Sequence, residues 1–157
     1  MDGGKRSEGF TLVEVLVSVL ILGIGLLGLA GLQNVCIAAG YSSLQRSHAS
    51  WLAGDMADLL RANPDAARAG DYDTNFADVA AGCPKGGGST RAQLDLGLWQ
   101  SNVCTALGGT GSGSVQVVRR GDLFSAVIAV RWSDRRARAH LAASGDDWET
   151  FTYQVGL

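Results

Sequence analysis

The sequence predicts an α+β protein in which a long amino-terminal helix packs on a small antiparallel β-sheet. Two observations lead to this fold class. Apolar residues recur at helical spacing from Phe10 to Ala62, with no proline before Pro64, and the last third of the chain contains three segments in which side chains alternate as in strands. A helix and a sheet that each have one apolar side become stable by packing on one another.

The chain of 157 residues has room for one membrane-spanning helix and one further domain of ordinary size. Its formal net charge of −2 gives no electrostatic argument for binding nucleic acid, so no nucleic-acid partner is expected. The glycine-rich segments lack the GK[ST] of a phosphate loop, the two histidines stand apart, and no serine lies in a G-x-S-x-G context. We therefore expect no enzyme, no cofactor and no metal site.

The first part of the long helix is apolar enough to cross a membrane, which makes membrane lipid an expected partner. From Val15 to Leu32 it has 18 residues without a charge or a proline, close to the ~20 that span a bilayer. Lys5 and Arg6 precede it, so the positive-inside bias places the amino terminus in the cytoplasm and the remainder in the periplasm.

Glu14 is the exception in this apolar segment. A charge within a span costs roughly 2.5–3.5 kcal/mol on insertion scales, so the carboxylate needs the interface or a cationic partner. An ordinary secretory signal peptide rarely has an acid in its apolar core and ends at a small-x-small cleavage site.

The run Gly9-Phe10-Thr11-Leu12-Val13-Glu14 resembles the type IV prepilin signature. The resemblance implies a type IV pilin-like fold and a prepilin peptidase that cuts between Gly9 and Phe10 and methylates the new amino terminus of Phe10. It also implies that Glu14 pairs with the amino terminus of a neighbouring subunit during assembly. The expected parts are the leader 1–9, the transmembrane half-helix 10–32, the periplasmic half-helix 33–62 and the globular domain 63–157.

Glycines recur every three residues within the span, at Gly25, Gly28 and Gly31. They fit either a soft membrane helix or a helix that packs closely on similar helices. In the periplasmic half we expect Trp51 and Met56 to pack in the core rather than to line a ligand pocket. His48 is expected at the surface or in an interface.

Residues 63–90 are rich in turn formers and have no sustained period, which indicates a long connection with a few short turns. The stretch Met56–Pro64 followed by Gly70-Asp71-Tyr72 resembles the minor pilins known as type IV pilus modification protein PilV. The later pattern Ile128-x-Val130-x-Trp132-x-Asp134 resembles the same group.

A short helix is predicted between Ser89 and Gly108, capped by Ser89 or Thr90. Cys104 lies in this helix and Cys83 in the preceding loop, whereas Cys36 is far from both in the predicted fold. In an oxidising periplasm we expect a Cys83–Cys104 disulfide, worth ~3 kcal/mol in the chain-entropy model. A zinc site is the rival interpretation, but no CxxC pair or nearby histidine supports it.

Three strands are predicted at Val115–Arg120, Leu123–Trp132 and Trp148–Val155, the first two joined by a Gly121-Asp122 turn. The loop 133–147 is basic, and Arg131 lies just before it. Its charged residues are Asp134, Arg135, Arg136, Arg138, His140, Asp146 and Asp147. Because acids flank the basic residues, a solvated hairpin loop is favoured over a DNA-binding patch.

The sequence therefore predicts a structural minor pilin of a type IV pilus that helps to prime pilus assembly, and so surface attachment and twitching motility. Its expected partners are prepilin peptidase, other minor and major pilins, and the inner-membrane pilus assembly machinery. It would cross the inner membrane once and then enter the pilus at the cell surface. The alternatives are a minor pseudopilin of a type II secretion system, and a membrane-anchored periplasmic binding module or enzyme.

Overall fold

The computed structural model describes residues 11–135 and 147–157. The helices are α1 (Leu12–Ala62), α2 (Pro64–Ala69) and α3 (Arg91–Ala106). The strands are β1 (Ser112–Arg120), β2 (Leu123–Ser133) and β3 (Trp148–Gly156). The chain divides between Ile37 and Ala38 into an amino-terminal unit and a carboxyl-terminal unit.

The predicted α+β fold is confirmed, since a long amino-terminal helix packs on a three-stranded antiparallel sheet of order β1-β2-β3. In the register of the sheet, Val115 of β1 pairs with Ile128 of β2, and Val130 of β2 pairs with Phe151 of β3. The side chains of Ile128 and Val130 are fully buried, as strict alternation along β2 predicts.

The core of the carboxyl-terminal unit forms where α1, α3 and the inner face of the sheet meet. Buried alanines recur every four residues on α1, at Ala49, Ala53 and Ala57. Positions four apart share one face of a helix, so small side chains there let neighbouring elements approach the helix backbone. Trp99 of α3 uses this access, and its Nε1 donates a hydrogen bond of 2.7 Å to the carbonyl oxygen of Leu52.

The expectation that Trp51 packs in the core is wrong, because its side chain is 73% exposed while Met56 is fully buried. Five residues of α-helix turn through about 140° beyond one full turn, so the two side chains point to different sides of α1. Trp51 instead stacks on His48, with the ring centroids 6.3 Å apart.

The segment from Asn63 to Thr90 contains one short helix, α2, that the lack of a sustained period did not predict. Pro64 opens α2, where its missing N–H group costs nothing, and Gly70 ends it with φ of 86°. At the end of the segment, the side chain of Thr90 accepts a hydrogen bond from the backbone N–H of Gln93 and starts α3 with a capping box.

The outer edge of β1 is covered at three alternate residues. The side chain of Gln100 pairs with both backbone groups of Gly113, at 2.6 and 3.2 Å. Thr74 forms a two-bond bridge with Val115, and Asp73 accepts a 2.8 Å hydrogen bond from the N–H of Val117. β1 starts at Ser112, earlier than the alternation predicts, because Ser112 and Gly113 still pair with Arg131 and Val130 of β2. Covering an edge in this way blocks its pairing with another chain.

Gly113 leaves the space that the Trp99 ring occupies. A Cβ atom built at Gly113 would lie 2.1 Å from the Trp99 ring, whereas one at Gly156 of β3 would meet nothing within 4 Å. We expect Gly113→Ala to destabilise the carboxyl-terminal unit by about 1–3 kcal/mol through overpacking. Gly156→Ala, also in a strand, is the matched control and should change stability by less than about 0.5 kcal/mol.

Urea unfolding of the full chain in detergent, followed by tryptophan fluorescence, measures both variants. Equal stabilities of the two alanine variants would show that the Trp99 ring moves aside freely, and the assigned role of Gly113 would be wrong.

Candidate functional site

The amino-terminal unit is an apolar helix with no described side chain buried. Every residue from Thr11 to Ile37 is exposed, and the exposed fraction of Leu12 is 77%. By length and composition α1 can cross a membrane, with a mean hydropathy of 2.6 over an 18-residue window. So large an apolar surface is unfavourable in water and favours membrane anchoring of this end of the chain.

Glu14 lies in the first turn of α1. The hydroxyl oxygen of Thr11 accepts a hydrogen bond of 3.3 Å from the backbone N–H of Glu14, which makes Thr11 the helix cap. The T-x-x-E spacing is the sequence signal of a capping box, and the predicted start of this helix did not include it. A carboxylate in this turn gains about 0.3–1 kcal/mol from the helix dipole, too little to offset burial in lipid.

The carboxylate of Glu14 has no hydrogen-bond or ion-pair partner within residues 11–135 and 147–157. The nearby Ser18 hydroxyl donates instead to the backbone carbonyl oxygen of Glu14, at 2.7 Å. Gly9 and Phe10, the predicted cleavage junction, and the leader 1–9 lie outside the described residues.

The glycines of the apolar helix leave a smooth surface. A Cβ atom built at Gly23, Gly25, Gly28 or Gly31 would meet nothing within 4 Å. Among the described residues, therefore, nothing packs on these glycines, and their small size would let another helix or lipid approach the helix backbone. Both interpretations of the glycine spacing, a soft helix and close packing on similar helices, stay open.

Cys83 and Cys104 are joined by a disulfide in the carboxyl-terminal unit, with their Cα atoms 5.5 Å apart. The bond ties the loop before α3 to the last turns of α3, and Cys104 is fully buried there. Cys36 is a free, exposed cysteine. Among the described residues no group of three or more metal-ligating side chains could hold a metal ion.

A buried polar cluster joins the ends of three helical segments. Tyr72 is fully buried, and its hydroxyl donates a 2.8 Å hydrogen bond to Asp95 and accepts one from Asn63. Arg91 pairs with Asp95 at 2.9 Å. Burial raises the pKa of Tyr72 above its ordinary value, and the carboxylate of Asp95 adds to the shift. The arrangement fits a structural role, since each polar group has a partner.

The basic loop is only partly described. Arg135 lies 3.6 Å from Asp147, while Arg136, Arg138, His140 and Asp146 fall outside the described residues. Arg131 does not belong to this loop, because it is a half-buried residue of β2 whose side chain contacts Phe76 and Trp148. Strand alternation places position 131 opposite the core, but nothing in the sequence indicates that Phe76 covers it.

The amino-terminal segment of the chain is similar to a known family motif. Residues 4–30 match the family model for the prokaryotic N-terminal methylation motif. The match supports a type IV pilin- or pseudopilin-like precursor and implies processing by a prepilin peptidase. Proteins with this motif are generally structural rather than enzymatic. No curated protein and no solved structure matched the chain.

Proposed function

We propose that the protein is a structural minor pilin of a type IV pilus, of the PilV type, that helps to start pilus assembly. The observation that carries this proposal is the methylation motif at residues 4–30, which overlaps the apolar first part of α1, where every residue from Thr11 to Ile37 is exposed. A helical segment with no packing partner among the described residues fits a protein that lies in lipid first and packs on other helices afterwards. The finer assignment to PilV rests on the resemblance around Met56–Pro64 and Gly70–Tyr72.

In this proposal the chain crosses the inner membrane once with its amino terminus in the cytoplasm. The peptidase cuts between Gly9 and Phe10 and methylates Phe10, and the carboxyl-terminal unit lies in the periplasm. The processed protein then joins other minor and major pilins through the assembly machinery of the inner membrane and reaches the cell surface in the pilus.

Glu14 supplies the attraction for assembly in this scheme. Its carboxylate is unpartnered among the described residues, so it is available to the cationic amino terminus of a neighbouring subunit. At ~4 Å and an effective dielectric constant of ~20, the two charges attract by about 4 kcal/mol before desolvation. This attraction is comparable with the roughly 2.5–3.5 kcal/mol cost of one charge within the span, so a cationic partner can offset the cost of Glu14.

Deletion of the gene tests the function. We expect loss of surface pili and of twitching motility, both restored by the wild-type gene, with secretion of extracellular enzymes unchanged. Loss of enzyme secretion with normal pili would identify a type II secretion pseudopilin. Normal pili and normal secretion would favour a membrane-anchored binding module or enzyme.

Processing is tested by the mass of the intact protein extracted from membranes. We expect the loss of residues 1–9 and the gain of one methyl group at Phe10. Gly9→Ala should leave most of the protein uncut, because the added methyl group crowds the cleavage site. A protein that still starts at Met1 in cells that contain an active prepilin peptidase would contradict the proposal.

The role of Glu14 is tested by Glu14→Gln, which keeps the shape of the side chain and removes its charge. We expect unchanged membrane levels but co-purification with partner pilins reduced about tenfold or more, because a pair worth more than ~1.4 kcal/mol is lost. Glu8→Gln is the matched control, since this carboxylate leaves with the leader.

Normal co-purification of Glu14→Gln would show that helix packing alone recruits the subunit. A reduced membrane level of this variant, with Glu8→Gln normal, would instead make Glu14 an insertion residue. Either outcome rejects the pairing role.

A further inference from the structure

Arg131 has an unusual environment on the outer face of the sheet. Its guanidinium carbon lies 4.3 Å from the centroid of the Phe76 ring and 5.1 Å from that of the Trp148 ring. Both distances are within the ~6 Å at which a cation is attracted to an aromatic ring. Two ring contacts restrict the guanidinium plane, so its N–H groups have fixed directions.

These N–H groups lack acceptors in the part of the chain that the structure describes. The Nε atom of Arg131 is buried without a hydrogen-bond partner, and Arg131 takes part in none of the ion pairs among the described residues. Buried donors in folded proteins are paired in the great majority of cases. The Nη atoms of Arg131 are not among these buried atoms, so their N–H groups are open to an acceptor that the described residues do not provide.

Arg119 shows that a ring contact does not by itself leave an arginine unpaired. Its guanidinium carbon lies 5.4 Å from the Phe124 ring, yet its Nε donates a 2.8 Å hydrogen bond to the carbonyl oxygen of Gly121. Asp122 lies 4.0 Å from another of its nitrogens. The two arginines share the aromatic contact and differ in whether their donors are used.

A cavity of about 380 Å³ lies beside the Arg131 guanidinium. This volume falls within the range of small-molecule sites, which is roughly 300–1,000 Å³. Its walls are mostly apolar and aromatic, and Phe76, Val79 and Trp148 are among them. An apolar cavity with one oriented charged group is the usual composition of a ligand site.

We propose that this cavity binds a small ligand through a carboxylate group. The two terminal Nη–H groups of a guanidinium form a planar fork that matches the two oxygens of a carboxylate. Arg131 is the one cation among the described residues that line the cavity, and Asp78 also lines it. One guanidinium can balance one negative charge, so the site suits a monoanion better than a doubly charged phosphate.

Two kinds of small ligand offer such a carboxylate, a uronic acid sugar and a peptide with a free carboxyl terminus. The proposal does not depend on the pilin assignment, because every residue that carries it lies in the carboxyl-terminal unit and none takes part in processing or membrane insertion. The proposed ligand site can therefore be wrong while the proposed assembly role is right, and the reverse also holds.

The test is a titration of the full chain in detergent micelles, followed by the ¹⁵N–¹H signal of the Arg131 Nε–H group. The carboxylate probes are glucuronate and acetyl-Ala-Ala with a free carboxyl terminus. Their uncharged counterparts are glucose and the amide of the same peptide, and glucose 6-phosphate is the phosphate probe. We expect a saturable shift with at least one carboxylate probe, in the millimolar range, and none with its uncharged counterpart.

Arg131→Lys keeps the positive charge and removes the planar fork, so it should weaken binding at least tenfold, as measured by calorimetry. Arg119→Lys is the matched control and should bind as the wild type does. The probe that saturates at lower concentration identifies the source of the carboxylate.

Several results would overturn the proposal. They are the absence of a saturable shift with both carboxylates, equal shifts with the uncharged counterparts, a response to the phosphate alone, and full affinity in folded Arg131→Lys. If Arg131→Lys fails to fold, the wild-type titration against the uncharged counterparts still decides between binding and no binding.

Discussion

The carboxyl-terminal unit depends on one indole ring, that of Trp99, at which three elements meet. Its Nε1 donates to the Leu52 carbonyl oxygen on α1, and its ring fills the space above Gly113 of β1. Next to it on α3, Gln100 holds both backbone groups of Gly113. The Trp99 indole needs a helix carbonyl oxygen as its acceptor and a strand residue without a side chain beside its ring. The alanines of α1 and Gly113 of β1 therefore serve the same packing arrangement.

The two units of the chain meet different physical demands along one helix. From Ala38 onward α1 has a buried side, whereas no residue from Thr11 to Ile37 is buried. Packing therefore stabilises the later part of α1, and the earlier part needs lipid or other helices to cover its apolar surface. Glu14 belongs to the earlier part, where among the described residues nothing neutralises it.

The regular elements could be predicted from the sequence, because hydrophobic periodicity and the residues that end helices and strands are local signals. Pro64, Thr90 and the Gly121 turn mark ends of elements that the structure places within a few residues of the expected positions. Trp51 could not be assigned from spacing alone, since its side of α1 depends on which face meets the sheet. The contact partners of Arg131, Tyr72 and Gly113 could not be predicted either, because each partner comes from a segment that is distant in sequence or lacks a regular period.

The irregular segment after α2 explains why the cavity at Arg131 is already formed. Thr74 forms a backbone bridge with Val115, and the carbonyl oxygen of Ala77 accepts a 3.0 Å hydrogen bond from the side-chain hydroxyl of Ser112, so these bonds hold the chain on both sides of Phe76. The ring is thus fixed against Arg131 by bonds to β1, one of which, the Thr74 bridge, also covers part of the strand edge. A ligand that meets groups already held in place loses little free energy in ordering them. Protection of the sheet edge and preorganisation of the cavity therefore share the backbone bridge between Thr74 and Val115.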